Sequence, residues 1–197
     1  MQHDPHQHLP PWEIGRPQSA FVKLADDGRI SGAVLEIGCG TGELALFLAS
    51  RGHRVAAIDL DETALAAARS KASQRSGAVE FISADALFLE SLDGLFKTVI
   101  DCGCFHSLAD TEREFYLDGL RQVVAVGGMV HLLVLSELEP GNYGPRRVTE
   151  RELRDLFDDG FVMESCQPAV FEVRGERVGA RAWMASFMHV GRTVGQA

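Results

Sequence analysis

The sequence predicts a doubly wound α/β sheet with an antiparallel edge strand, and three observations carry that expectation. Strand-like and helix-like segments alternate along most of the chain. A buried-type strand at 34–37 runs into the glycine-rich turn Gly38-Cys39-Gly40-Thr41-Gly42, after which a helix begins. Near the other end, alternating segments at 170–174 and 180–189 flank Gly175-Glu176-Arg177-Val178-Gly179, the pattern of a β-hairpin.

Residues 1–20 read as a polar tail leading into Pro10-Pro11-Trp12-Glu13-Ile14-Gly15-Arg16-Pro17-Gln18. Three prolines and a glycine forbid an ordinary helix there, and the Trp, Ile and Arg suggest a loop folded over something. The remainder, 21–197, is expected to form a single domain. Residues 19–28 suit a short helix with Phe21, Leu24 and Ala25 on one face. After the first strand, Leu44, Phe47 and Leu48 recur at helical spacing until Gly52. A second strand at 54–58 ends on Asp59, seventeen residues past Gly42. Asp61 stands where it can cap a helix running from Glu62 to about Lys71. Strands at 79–82 and 97–101 follow. Thr111-Glu112-Arg113-Glu114 reads as a capping box, with Leu117, Leu120 and Val124 buried and Gly127-Gly128 stopping the helix. The apolar run 129–135 suits a central strand, with His131 inside it as a core histidine. A second Thr-Glu-Arg-Glu, at 149–152, opens a helix carrying Leu153, Leu156 and Phe157.

The turn after the first strand carries the chemistry. Glycines there let the backbone turn sharply and approach a ligand, and Asp59 is placed to accept hydrogen bonds from ribose hydroxyls. Strand, turn, helix, strand and carboxylate together describe a nucleoside-binding βαβ unit. In the dinucleotide fingerprint a third glycine occupies the sixth position, which here is Glu43. Glu36 precedes the turn, where a carboxylate repels a pyrophosphate and welcomes an ammonium.

Composition narrows the partners. The 197 residues carry a net charge of −9, from 19 Lys+Arg against 28 Asp+Glu, which disfavours nucleic acid. No apolar run approaches the roughly 20 residues that span a bilayer, and the N-terminus lacks a signal-peptide layout. A cytoplasmic protein without a membrane partner is expected. Cys39, Cys102, Cys104 and Cys166 form no C-x-x-C pair, so neither a disulfide framework nor a metal site is expected. Met1-Gln2-His3 offers nitrogen ligands for copper or nickel, but a disordered tail is the preferred reading.

The pattern E-x-G-x-G-x-G at Glu36 to Gly42 resembles the first motif of the class I S-adenosylmethionine-dependent methyltransferases. The segment Pro11 to Gln18 is similar to the N-terminal lid of their small-molecule members, the thiopurine-, thiol- and heterocyclic-toxin-type enzymes. Asp101-Cys102-Gly103-Cys104-Phe105-His106-Ser107-Leu108 resembles their fourth-strand motif, in which serine is more usual than Cys102, and the segment from Glu139 to Thr149 resembles their loop after the fifth strand. The resemblance implies a Rossmann-like sheet of seven strands whose last runs antiparallel. It implies that Gly38, Cys39, Gly40 and Gly42 line the amino-acid portion of S-adenosyl-L-methionine, with Glu36 beside them. It places Asp59 on the ribose, Leu60 beside the adenine, Asp85 on the adenine amino group flanked by Ala86, and Asp101 and Cys102 under the methionine part.

Methyl transfer from a sulfonium is accelerated mainly by proximity, orientation and a water-poor pocket. Trp12, Ile14 and Phe105 are candidates for that closure, with core packing the competing reading for Trp12. Arg16 suits bidentate pairing with the methionine carboxylate, or is an exposed structural arginine. His106 is the candidate general base, with a hydrogen-bonded structural histidine as the alternative. Tyr143 and Arg146 are expected to line the acceptor pocket beside Phe105. The acceptor is expected to be a small molecule methylated on a heteroaromatic nitrogen or oxygen, with a thiol second. A nicotinamide-dependent oxidoreductase, which Glu43 disfavours, and a non-catalytic cofactor binder are the rival readings.

Overall fold

The computed structural model describes residues 10–191 apart from 76, 143, 176 and 177. In chain order the elements are α1 (Ser19–Asp26), β1 (Ala33–Ile37), α2 (Glu43–Ser50), β2 (Arg54–Asp59), α3 (Glu62–Ala72), β3 (Val79–Ser83), β4 (Phe96–Cys102), α4 (Asp110–Val123), β5 (Val124–Leu135), α5 (Glu150–Leu156), β6 (Phe161–Phe171) and β7 (Ala180–His189). Strand side chains alternate between faces, and the central strands are apolar on both. Leu35, Val99 and Leu132 pack with Tyr116, Leu120 and Leu153 of α4 and α5. Their neighbours Val34, Ile100 and Leu133 pack with Phe21, Leu48 and Leu65 of α1, α2 and α3. Helices therefore cover both faces, and the architecture is doubly wound as expected.

The seven strands stand in the order β3-β2-β1-β4-β5-β7-β6. β1 to β5 pair in parallel, and β7 runs antiparallel to both β5 and β6. The last strand is thus antiparallel as the resemblance implied, but it is not the edge. It slots between β5 and β6, and β6 takes the edge, where exposed and half-buried residues are mixed and only the two ends are buried. That mixed exposure blurs the alternation from residue 161 to 169, which is why only the end of β6 is legible as a strand.

Two local expectations need correction. Gly127-Gly128 does not stop α4: the helix ends at Val123 and β5 begins at the next residue. The glycines fall in a register shift against β4, where Lys97 Nζ donates to the Gly127 carbonyl at 2.5 Å. A Cβ on Gly128 would stand 2.7 Å from the Ala125 carbonyl oxygen, so the bulge needs glycine. The cap of α4 is Ala109 rather than Thr111. Glu112 still reaches back to the Ala109 amide at 2.7 Å, which is the carboxylate half of a capping box, and alanine has no side chain to supply the other half. At α5 the expected geometry holds, with Thr149 Oγ1 accepting from the Glu152 amide at 3.0 Å. Asp61 caps α3 by accepting from the Thr63 and Ala64 amides. Among the described residues no helix is long and apolar enough to cross a membrane.

Candidate active site

A cavity of about 550 Å³ opens at the carboxyl ends of β1, β2, β4 and β5, where the strand order reverses. Its floor is the glycine turn with Asp59, Cys102 and Leu135, and its roof is the segment 11–18. His106, Arg147 and Phe171 line it as well.

The turn is held from three sides. Gly38, Gly40 and Gly42 take positive φ angles of 69°, 52° and 80°. Only the first two face the cavity. Gly42 caps α2, and a Cβ there would meet the Phe81 ring of β3 at 2.8 Å and Ala68 of α3 at 3.0 Å, so its role is close approach of the turn to these two elements rather than ligand contact. Asp59 Oδ2 accepts from the Gly40 amide at 2.7 Å, and Oδ1 accepts from the Asp61 amide at 2.9 Å. From the roof, Glu13 accepts from the Thr41 amide at 3.1 Å and from its hydroxyl at 2.7 Å. Glu13 belongs to the quoted lid segment, but nothing in its local sequence distinguishes it from any loop glutamate.

Glu36 is 2 % exposed, and its Oε2 has no hydrogen-bond partner among the described residues. Burial, opposed by a hydrogen bond from the Ala45 backbone and reinforced by the Asp59 and Glu13 carboxylates, raises its pKa to about 8. A buried carboxyl with a spare oxygen beside an open cavity is suited to a positively charged nitrogen. The Cys39 and Cys102 thiols also face the cavity and are pushed well up by burial, so neither is a reactive thiolate.

The roof is clasped to the end of β6. Arg16 forms a two-pronged pair with Glu172, at 2.7 and 3.0 Å, and the Ser19 amide donates to the same carboxylate. Arg16, chiefly through these hydrogen bonds, lowers the Glu172 pKa to about 2. The Gln18 side chain exchanges two hydrogen bonds with the Glu172 backbone, and the Arg174 amide donates to the Pro11 carbonyl. Arg16 lines the cavity, but its fork is already occupied by Glu172. Trp12 and Ile14 line the cavity too; Trp12 is 55 % exposed and is not part of the core.

Other sequence-based candidates lie elsewhere. Asp101 is fully buried and turned away from the cavity. It accepts from the Cys104 and Phe105 amides and from the Tyr116 hydroxyl, at 2.8 to 2.9 Å. Burial, opposed by those hydrogen bonds, raises its pKa to about 6. This contact fixes the turn at 105–107 so that Phe105 points inward, against Tyr116 and Phe157 and under the Arg113 guanidinium. Phe105 is therefore core and not an acceptor contact. Its neighbour His106 faces the cavity instead. Arg146 is also turned away, paired with Asp110 and Glu152, while Arg147 lines the cavity in its place. Both arginines sit in an irregular connection with no periodicity to say which faces inward. Asp85 caps its own turn by accepting from the Leu87 amide, Ala86 is buried in the core, and Leu60 is exposed; none of the three lines the cavity. Tyr143 and the N-terminal histidines lie outside the described residues. His131 is a core histidine as expected, its Nδ1 paired with Ser186 Oγ at 2.8 Å.

Comparison with known proteins agrees with this geometry. Residues 34–128 match the family model described as methyltransferase domain. The 2-heptyl-1-hydroxyquinolin-4(1H)-one methyltransferase of Mycobacteroides abscessus is 35% identical over 170 residues, which cover 85% of this chain and 75% of the relative. A solved structure from work on the conversion of a disulfide bond into a thioacetal group during echinomycin biosynthesis superposes with a TM-score of 0.84 at 34% identity, covering 92% of this chain and 86% of the other. The magnesium protoporphyrin IX methyltransferase of Synechocystis PCC 6803, solved with bound S-adenosylmethionine, shares the fold at a TM-score of 0.68 and 20% identity, covering 87% of this chain and 76% of the other. With a glycine turn, a strand-end carboxylate and a spare buried carboxyl oxygen at the switch point of such a sheet, the chain belongs to the class I S-adenosyl-L-methionine-dependent methyltransferases.

Proposed function

We propose that this enzyme methylates a heteroaromatic oxygen or nitrogen of a small molecule, in the cytoplasm, with residues 1–20 as tail and lid over a single domain formed by 21–197. The observation that carries the reading is the composition of the cavity: beside the acidic, glycine-lined set of Glu36, Gly38, Gly40 and Asp59, its second end is lined by the apolar Phe171 and by His106 and Arg147. The hydroxyquinolone acceptor of the 35% identical relative is a flat ring system of the kind that second end suits. When bound, S-adenosyl-L-methionine supplies a methyl group already activated on a sulfonium.

The chain's own residues bind, orient and exclude water. Glu36 meets the ammonium of the methionine part, and its buried oxygen gains the partner it lacks. Gly38, Cys39 and Gly40 admit the methionine backbone closely, and Asp59 holds the ribose. Cys102 packs beneath the reacting region, and Trp12 and Ile14 close the roof. Leu60 and the pair Asp85 and Ala86, at the ends of β2 and β3, stand on the side assigned to the adenine. Asp101 acts at one remove, by holding the turn that presents His106.

The test is methyl transfer from isotope-labelled S-adenosylmethionine to a panel of hydroxylated and nitrogen heteroaromatics, phenols and thiols, read by mass spectrometry. Product on a ring oxygen or nitrogen is expected. Product on thiols alone would replace this reading with the second, a sulfur acceptor, which is favoured by the 34% identical structure from work on a thioacetal.

A further inference from the structure

The hydrogen bond at His106 decides what that residue can do. The Leu135 amide donates to His106 Nδ1 at 3.0 Å. A backbone amide has a hydrogen to give and no lone pair to receive one, so Nδ1 is unprotonated and the neutral ring carries its hydrogen on Nε2. The partner cannot step aside, because Leu135 ends β5 and its carbonyl is held in turn by the Val148 amide at 2.9 Å. His106 lines the cavity, 5 % exposed, and its Nε2 has no partner among the described residues. The only lone pair left to take a proton is on Nδ1, where a proton would displace the Leu135 amide and give an imidazolium in a site that disfavours it. The ring packs against Phe171, with centroids 5.7 Å apart, and the charges acting on it are Arg113 from α4 and Arg147 from the connection before α5. Burial first, and then these two cations, lower its pKa to about 4. The nearby Cys104 thiol is pushed up out of the physiological range, and Glu139, also lining the cavity, accepts from the Arg181 amide.

We propose that His106 is a fixed hydrogen-bond donor to an anionic oxygen of the acceptor and not its general base. The acceptor is then an acidic hydroxyl on a conjugated heteroaromatic ring that reaches the site already ionised. The inference rests on the acceptor assignment above and sharpens it to one substrate class. A donor at Nε2, with Arg147 on the same wall, stabilises an oxyanion against its protonated form. No proton then needs removing: a lone pair of the oxyanion forms the new carbon–oxygen bond, the electrons of the sulfur–methyl bond stay on sulfur, and both charges are neutralised.

Three measurements test it. Nitrogen-15 spectra of the imidazole-labelled protein, with S-adenosylhomocysteine bound, should show His106 protonated at Nε2 alone and unchanged from pH 5 to 8. A ring protonated at Nδ1, or one titrating between pH 6 and 7, overturns the proposal. This reading needs no turnover, so it separates failure here from failure of the acceptor assignment. With a series of ring-hydroxyl acceptors of graded acidity, the acidic limb of kcat/KM should follow each acceptor's own pKa. A limb fixed at one pH for all of them overturns it. His106→Leu should lose roughly 10- to 100-fold in kcat/KM, the worth of a hydrogen bond to a charged group. His106→Gln keeps a donor where Nε2 stands but has no basic nitrogen, and should lose clearly less. Equal losses in two variants that both still bind S-adenosylhomocysteine would restore the base.

Discussion

Replacing Glu36 by glutamine removes one titration and leaves the shape of the site. Glu36 is 2 % exposed, and its pKa rises from 4.5 to about 8, with burial the largest cause. Between those values the folded protein holds a proton that the unfolded chain has released, so stability falls as pH rises. The slope is about 1.4 kcal/mol per pH unit. Below pH 6.5 the slope is masked with the opposite sign. His106 and His131, both lowered to about 4 by burial, are neutral in the fold and charged in the unfolded chain, so their contribution grows as pH rises toward 6.5. Asp101, raised to about 6, shares the sign of Glu36 but has largely released its proton by pH 6.5, so Glu36 dominates the window from pH 6.5 to 8. Across it the wild type should lose roughly 2 kcal/mol that the Glu36→Gln protein keeps. Urea unfolding followed by circular dichroism at several pH values in that window reads the difference. Parallel pH dependence in the two proteins would refute the buried, protonated carboxyl. The ammonium of the cofactor should drive the proton off, so binding of S-adenosylhomocysteine at pH 7 should release a proton in the wild type and not in the variant. Calorimetry in buffers of different ionisation enthalpy measures that release.

Other outcomes follow from single contacts. Asp59→Ala should weaken S-adenosylhomocysteine binding by roughly 1.5–3 kcal/mol, the worth of a charge-assisted contact, and unchanged affinity in a folded variant would take Asp59 out of the site. Asp101→Ala strips an acceptor from two amides and the Tyr116 hydroxyl. Unfolding should then come earlier by roughly 3–5 kcal/mol, and a loss under about 1 kcal/mol would contradict the turn-holding role. Glu172→Ala should cost less than about 1 kcal/mol globally, because its partner Arg16 is largely exposed. Amide exchange at residues 11–19 should nonetheless quicken, and unaltered protection would show that the clasp does not hold the roof.

What the sequence determined by itself is the local chemistry. Gly38, Gly40 and Gly42 stand where positive φ is needed, Asp61 and Thr149 stand where helices need caps, and Asp59 ends a strand beside the turn. Each of these depends on residues a few positions apart, so spacing carries it. The same holds for the central strands, whose apolar runs reflect helices on both faces. Tertiary structure decided the choices between neighbours. Phe105 and His106 are adjacent, and only the Asp101 carboxylate, capturing the amide of Phe105, sends the ring inward and the imidazole to the cavity. Arg146 yields to Arg147 because Asp110 and Glu152, each on a different helix, take the first guanidinium. Arg16 meets Glu172 across 156 residues, a pairing no local pattern encodes. The ionisation of Glu36 and the tautomer of His106 belong to the same category. Both are set by exclusion of water and by partners brought in from distant strands, and a side chain's charge is a property of its surroundings as much as of its type.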